Sequence, residues 1–69
     1  MNIVYSNHAK KRLKQRGLTE LEIEHVLEYP SYIKKSIEGR KIAEGEIKNR
    51  KINVVFVEKE KYIKIITVI

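Results

Sequence analysis

Apolar residues recur with two different periods along this chain. Between Ser6 and Pro30 the spacing is helical, and from Ser31 onward it alternates. Ser6 offers an N-cap oxygen, and Gly17 can take the left-handed conformation that closes a helix. The first helix is therefore predicted over residues 7–16, with Ala9 and Leu13 as its apolar strip. Thr19-Glu20-Leu21-Glu22 reads as a capping box, T-x-x-E, with Leu18 ahead of it as a staple residue. The second helix is predicted over residues 20–29, stopping before Pro30. With Leu21 at zero and 100° per residue, Val26, Ile23 and Leu27 fall at about 140°, 200° and 240° and form the buried face. Glu24, His25 and Glu28 lie on the other side, with Glu22 flanking, and His25 reads as solvated surface.

After Pro30 the pattern predicts strands over residues 31–37, 41–47, 51–58 and 62–69. The turns between them, 38–40, 48–50 and 59–61, are short enough for hairpins. Gly45 inside the second of these strands implies a bulge or a close backbone approach. Strands 51–58 and 62–69 are apolar on both faces, the pattern of a central strand or of a face covered by a partner. Ile3 to Tyr5 is a short apolar run that either adds an edge strand or tethers the first helix. The order is (β)ααββββ over a single domain, residues 1–69. The expected fold class is α+β, two N-terminal helices packed on a four-stranded antiparallel sheet.

Composition narrows the setting. A chain of 69 residues buries only roughly 60% of its unfolded surface, so its core is thin. Cysteine is absent, which excludes disulfides and thiolate metal sites. No apolar run approaches the ~20 residues of a membrane span, and the N-terminal charges follow a short apolar piece, the reverse of a signal peptide. The expectation is a soluble cytoplasmic protein with no membrane partner. Aspartate is absent while Ile, Lys and Glu dominate, a bias shared by thermophiles and AT-rich genomes. The net charge of +6 favours a polyanion partner, nucleic acid first. The plainer reading is a Lys/Glu surface that solvates a small domain.

The charge is concentrated on the first helix, where Lys10, Lys11, Arg12, Lys14 and Arg16 occur with no acidic residue. With His8 at zero, Arg12 falls at about 40°, Arg16 at 80°, Ala9 at 100° and Leu13 at 140°. His8, Arg12 and Arg16 thus form one stripe along the edge of the apolar strip, while Lys10, Lys11 and Lys14 point to solvent. Metal-independent RNA cleavage needs a proton acceptor for the 2′-hydroxyl, a donor for the leaving oxygen, and cations around the phosphorus. A histidine titrating near neutrality and two phosphate-binding arginines match those needs. Glu44, Tyr32, Tyr5 and Glu46 are candidates for a second proton-transfer group, and Arg40, in the first hairpin turn, for a phosphate contact. Each member also has a structural reading: Arg16, nearest the apolar strip, as a half-buried packing residue, Arg12 as an ion-pair partner, and His8 as a first-turn residue satisfied by backbone. Two isolated histidines without Cys or Asp form no metal-ligand spacing, so no cofactor is expected. The four tyrosines fit base stacking or, more simply, half-buried rings at element margins.

The residues Ser6, His8, Ala9, Arg12, Leu13, Arg16, Gly17, Leu18, Val26, Leu27, Pro30, Gly39, Arg40 and Thr67-Val68 follow a pattern that resembles a small prokaryotic family, domain of unknown function 4258. The resemblance covers nearly the whole chain. Its helix-then-strand order is similar to that of RelE/ParE-type toxins, many of them ribonucleases paired with an antitoxin. The resemblance implies a RelE/ParE-toxin-like fold, RNA or the ribosome as target, and an antitoxin protein as partner. RelE-type toxins carry their catalytic residues largely on the sheet and C-terminal part, whereas the notable residues here lie on the first helix.

The expected function is a toxin-like RNA-binding protein acting as a metal-independent endoribonuclease of a toxin–antitoxin pair. His8, Arg12, Arg16 and Glu44 are its catalytic candidates, and Lys10, Lys11, Lys14 and Arg40 its nucleic-acid contacts. The alternatives are a non-enzymatic nucleic-acid-binding module, or an interaction domain that forms a homodimer through its apolar sheet face.

Overall fold

A computed structural model of the chain describes residues 2–69. The elements run β1 (Ile3–Tyr5), α1 (Asn7–Arg16), α2 (Glu20–Glu28), β2 (Tyr32–Lys35), a short 3-10 helix (Ile37–Gly39), β3 (Lys41–Ile47), β4 (Arg50–Glu58) and β5 (Ile63–Val68). Among the described residues no helix is long and apolar enough to cross a membrane.

The helices form where local chemistry places them. The Ser6 hydroxyl accepts from the Ala9 N–H at 3.0 Å, and Gly17 closes α1 in the left-handed region at φ 66°. Thr19 and Glu22 complete a reciprocal capping box at the start of α2. Ile23 and Val26 are buried and Leu27 is half-buried, whereas Leu21 faces solvent. In the β3–β4 hairpin Lys48 and Asn49 both take positive φ, the conformation that matches a two-residue turn to the twist of its strands.

The sheet corrects the expected architecture. It has five strands in the order β1-β5-β4-β3-β2, not four, and it is mixed rather than antiparallel. β1 runs parallel to β5, with Ile3, Val4 and Tyr5 beside Ile63, Lys64 and Ile65. The RelE/ParE-toxin-like four-stranded antiparallel sheet is therefore not the fold of this chain. The physical reason lies in β5, whose two apolar faces and two open edges need neighbours on both sides. β4 satisfies one edge and the N-terminal run the other, so Ile3–Tyr5 is an edge strand and not a tether. β2 is also shorter than expected, because the chain leaves the sheet after Lys35 to form the 3-10 helix.

Both helices cover the same sheet face. Ala9, Leu13, Leu18, Ile23 and Val26 join Ala43, Ile52, Val54, Phe56, Ile65 and Val68 in one core. α1 packs on β5, and α2 on β3 and β4. Gly45 is where α2 comes closest. A β-carbon there would meet Val26 Cγ1 at 2.9 Å, so glycine marks a close approach and not a bulge. The register irregularity occurs instead between β4 and β5, where Val55 pairs with Thr67 and Phe56 with Ile65. That leaves Ile66 as the extra residue, and its carbonyl is used by α1.

Candidate functional site

The α1 edge is positioned by that irregularity. The Ser6 N–H donates to the Ile65 carbonyl at 3.1 Å, and the Ser6 hydroxyl donates to the Ile66 carbonyl at 2.9 Å. One residue thus caps α1 and ties it to β5, the strand next to the sheet's β1 edge. Burial of Ala9 and Leu13, at 0% and 5% exposure, fixes the rotation of the helix. With that rotation set, the i, i+4, i+8 spacing carries His8, Arg12 and Arg16 along one margin of the core.

His8 is exposed, while Arg12 and Arg16 are half-buried. The Nε atoms of both arginines are buried with no hydrogen-bond partner. Among the described residues the ion pairs are Lys41–Glu58, Lys48–Glu22 and Lys51–Glu44, so neither guanidinium is closed over by a carboxylate. The two stems are packed against the core and the charged ends are uncommitted. Two forked cations four residues apart, about 6 Å along the axis, form an acceptor-seeking surface suited to phosphate oxygens. This removes the reading of Arg12 as an ion-pair partner.

Lys10, Lys11 and Lys14 are exposed on α1. Arg40 is exposed where the chain enters β3. The sheet order sets β4 between β3 and the strand that carries α1, so Arg40 belongs to a different part of the surface. Glu44 is not brought to the stripe. Ala43 and Gly45 face the helices, so Glu44 between them points to the helix-free face, where Lys51 Nζ lies 3.0 Å from its carboxylate. Tyr32 and Glu46 share that face by alternation.

Tyr5 is the remaining proton-transfer candidate, and its chemistry is set by its surroundings. Its hydroxyl lies 3.4 Å from the Glu20 carbonyl. Partial burial, then the nearby charges of Glu20 and Glu24, push its pKa up to about 12. It therefore stays protonated across the ordinary pH range and is not a base. The Glu22 carboxyl is held below the usual carboxylate range, chiefly by the Thr19 backbone N–H and then by Lys48, which is capping chemistry at the start of α2.

Two features escaped sequence reasoning. A surface cavity of about 250 Å³ lies at the β4–β5 turn, lined by residues including Asn2, Lys59, Lys61 and Tyr62; none of the predicted site residues lines it. It depends on the parallel β1–β5 pairing, which no local pattern announces. The second is an exposed stripe on α2, Leu21, His25 and Tyr29, in which the rings of His25 and Tyr29 lie 5.2 Å apart. The signal for it was present, since Leu21 falls opposite the buried face of its helix.

No curated protein and no solved structure matches the chain. A family model described as a domain of unknown function, DUF4258, matches residues 5–69, a span that holds α1, α2 and strands β2 to β5, with all the residues of the α1 edge. The chain belongs to the DUF4258 family.

Proposed function

We propose that this chain is a toxin-like RNA-binding protein that grips the phosphodiester backbone along the α1 edge. The observation that carries the reading is the pair Arg12 and Arg16, half-buried, one turn apart and free of carboxylates. A surface arginine kept for solubility is normally hydrated and mobile. A packing arginine normally finds a carboxylate or carbonyl for its Nε, since an unsatisfied buried polar group costs about 1–3 kcal/mol. These two follow neither pattern: the Nε atoms are closed to solvent, and a bound phosphate meets the guanidinium ends, which no carboxylate among the described residues engages. Lys10, Lys11 and Lys14 add charge that steers a polyanion to the same helix.

His8 at the head of the stripe adds one group able to move a proton. In the cleavage this permits, the His8 imidazole takes the proton of a ribose 2′-hydroxyl as that oxygen bonds to phosphorus. The bond from phosphorus to the 5′-oxygen breaks, and the leaving oxygen takes a proton from water or from the imidazolium. The products are a 2′,3′-cyclic phosphate and a 5′-hydroxyl, with Arg12 and Arg16 offsetting charge on the non-bridging oxygens. Glu44 has no part in this step.

The test is to incubate the protein with RNA, free and on ribosomes, in buffer containing a chelator. Wild type cleaves, and His8→Ala binds RNA with little change but cleaves about 10²–10⁴-fold more slowly. RNA bound tightly but left intact by wild type would leave a binding protein and remove the ribonuclease.

A further inference from the structure

The helical layer is electrically divided. α1 carries Lys10, Lys11, Arg12, Lys14 and Arg16 and no acid, while α2 carries Glu20, Glu22, Glu24 and Glu28 and no Lys or Arg. Both helices pack on one sheet face, so their outer surfaces look the same way. The outer surface of α2 is also apolar where a solvated helix would not be. Leu21 is 78% exposed and Tyr29 is 69% exposed, and Glu24 and Glu28 border Leu21 at about 60° and 20° around the helix. An exposed leucine and tyrosine edged by carboxylates fit a cationic helix whose long side chains cover apolar surface with their stems and meet carboxylates with their ends. The outer surface of α1, with Lys10, Lys11 and Lys14 exposed, is such a helix.

We infer that two copies of this chain associate through their helical layers, α1 of each lying over α2 of the other. A two-fold axis in the plane between the layers makes both contacts at once, so one self-complementary surface serves twice. Lys11 and Lys14 face Glu24 and Glu28 of the partner subunit, and lysine stems cover Leu21. Two helices of three turns each offer an area at the low end of specific interfaces, so the dimer is weak, salt-sensitive and concentration-dependent. The dimer needs no RNA and is tested without it.

The experiment is sedimentation equilibrium of the full chain over a wide concentration range at low and high salt, on wild type and two charge-reversed variants, Glu24→Lys/Glu28→Lys and Lys11→Glu/Lys14→Glu. Lys11, Lys14 and Glu28 are exposed and Glu24 is half-buried, and circular dichroism verifies folding; Glu24→Gln/Glu28→Gln serves if the reversal perturbs α2. Wild type dimerises at low salt and dissociates as salt rises. Each reversed variant alone sets like charges opposite each other in both contacts and dimerises about 100-fold or more weakly. An equimolar mixture of the two restores association, because one of the two contacts regains its full set of opposite charges in reversed order and the other keeps the native set. A wild type that is monomeric at every concentration overturns the inference. So does a dimer indifferent to the reversals, which places the contact on the sheet, and so does a mixture that fails to reassociate.

Discussion

Replacing Gly45 by alanine tests how tightly α2 is seated on the sheet. The added β-carbon would lie 2.9, 3.1 and 3.3 Å from Cγ1, Cγ2 and Cβ of Val26, all well inside ordinary contact distance. Val26 is 1% exposed, and a valine in a helix has one strongly preferred rotamer, so it cannot swing aside. Overpacking of this kind costs about 1–3 kcal/mol. Against it stands the roughly 0.5–1 kcal/mol that alanine recovers over glycine inside an element. The clash wins, with a net loss of about 1–2 kcal/mol. For a domain of this size that lowers Tm by between about 4 and 16 °C, measured by circular dichroism. Val26→Ala alone also destabilises, by removing buried methyl groups. In the double variant the methyl added at position 45 occupies space that the valine side chain vacates, so the combined loss is less than the sum of the two, with a coupling of about 1 kcal/mol or more. A Gly45→Ala protein as stable as wild type, or strictly additive losses, would refute the close approach of α2 to β3.

Two further predictions concern ionisable groups. Thr19→Ala removes the side-chain half of the capping box, the acceptor of the Glu22 N–H, and costs about 1 kcal/mol. Because Glu22 has a lowered pKa in the folded protein, its contribution is present above the ordinary carboxylate range and is lost as pH falls through the lowered value; a chemical-denaturation series against pH shows that slope in wild type, a nearly unchanged one in Thr19→Ala, which keeps the Thr19 backbone N–H, and none from this group in Glu22→Gln. Tyr5, with its pKa pushed up to about 12, is raised relative to the unfolded chain, so its contribution is complete below about pH 10 and disappears as pH rises through the folded value. Ultraviolet titration shows one tyrosine ionising last, and Tyr5→Phe deletes that step; four tyrosines ionising together would contradict it.

Much of this architecture could be read from residues because its causes are local. Ser6, Gly17, Thr19 and Glu22 act within four positions of the groups they cap, so the bounds of α1 and α2 follow from them. The hairpins among β2 to β5 follow from short turns between alternating segments. β1 is open between an edge strand and a tether in the sequence, because three residues are too few to show a period. Its pairing with Ile63–Ile65 joins segments at opposite ends of the chain by a contact that no turn specifies. The same kind of limit misplaced Glu44. The apolar residues of β3 draw attention to Ile42 and its neighbours, while the face that meets the helices is made by the small residues Ala43 and Gly45. The demand of α2 for space, invisible along the strand itself, decides which parity faces the helices. On α1 the angular reading placed Arg12 and Arg16 at the core margin, but whether a carboxylate reached them depended on the sheet and was not in the helix sequence.

The claim that Arg12 and Arg16 serve an anion and not the fold is tested most directly by replacing both with methionine, which keeps the packed stems and deletes the unsatisfied Nε atoms. Affinity for single-stranded RNA, followed by fluorescence anisotropy across a salt series, and Tm are measured on the same samples. Loss of two phosphate contacts weakens binding sharply and makes the log–log salt dependence shallower by about 1.4. Removal of two unpaired buried polar groups leaves Tm unchanged or raised. A fall in Tm with RNA affinity and salt slope intact would show the arginines to be structural and contradict the account.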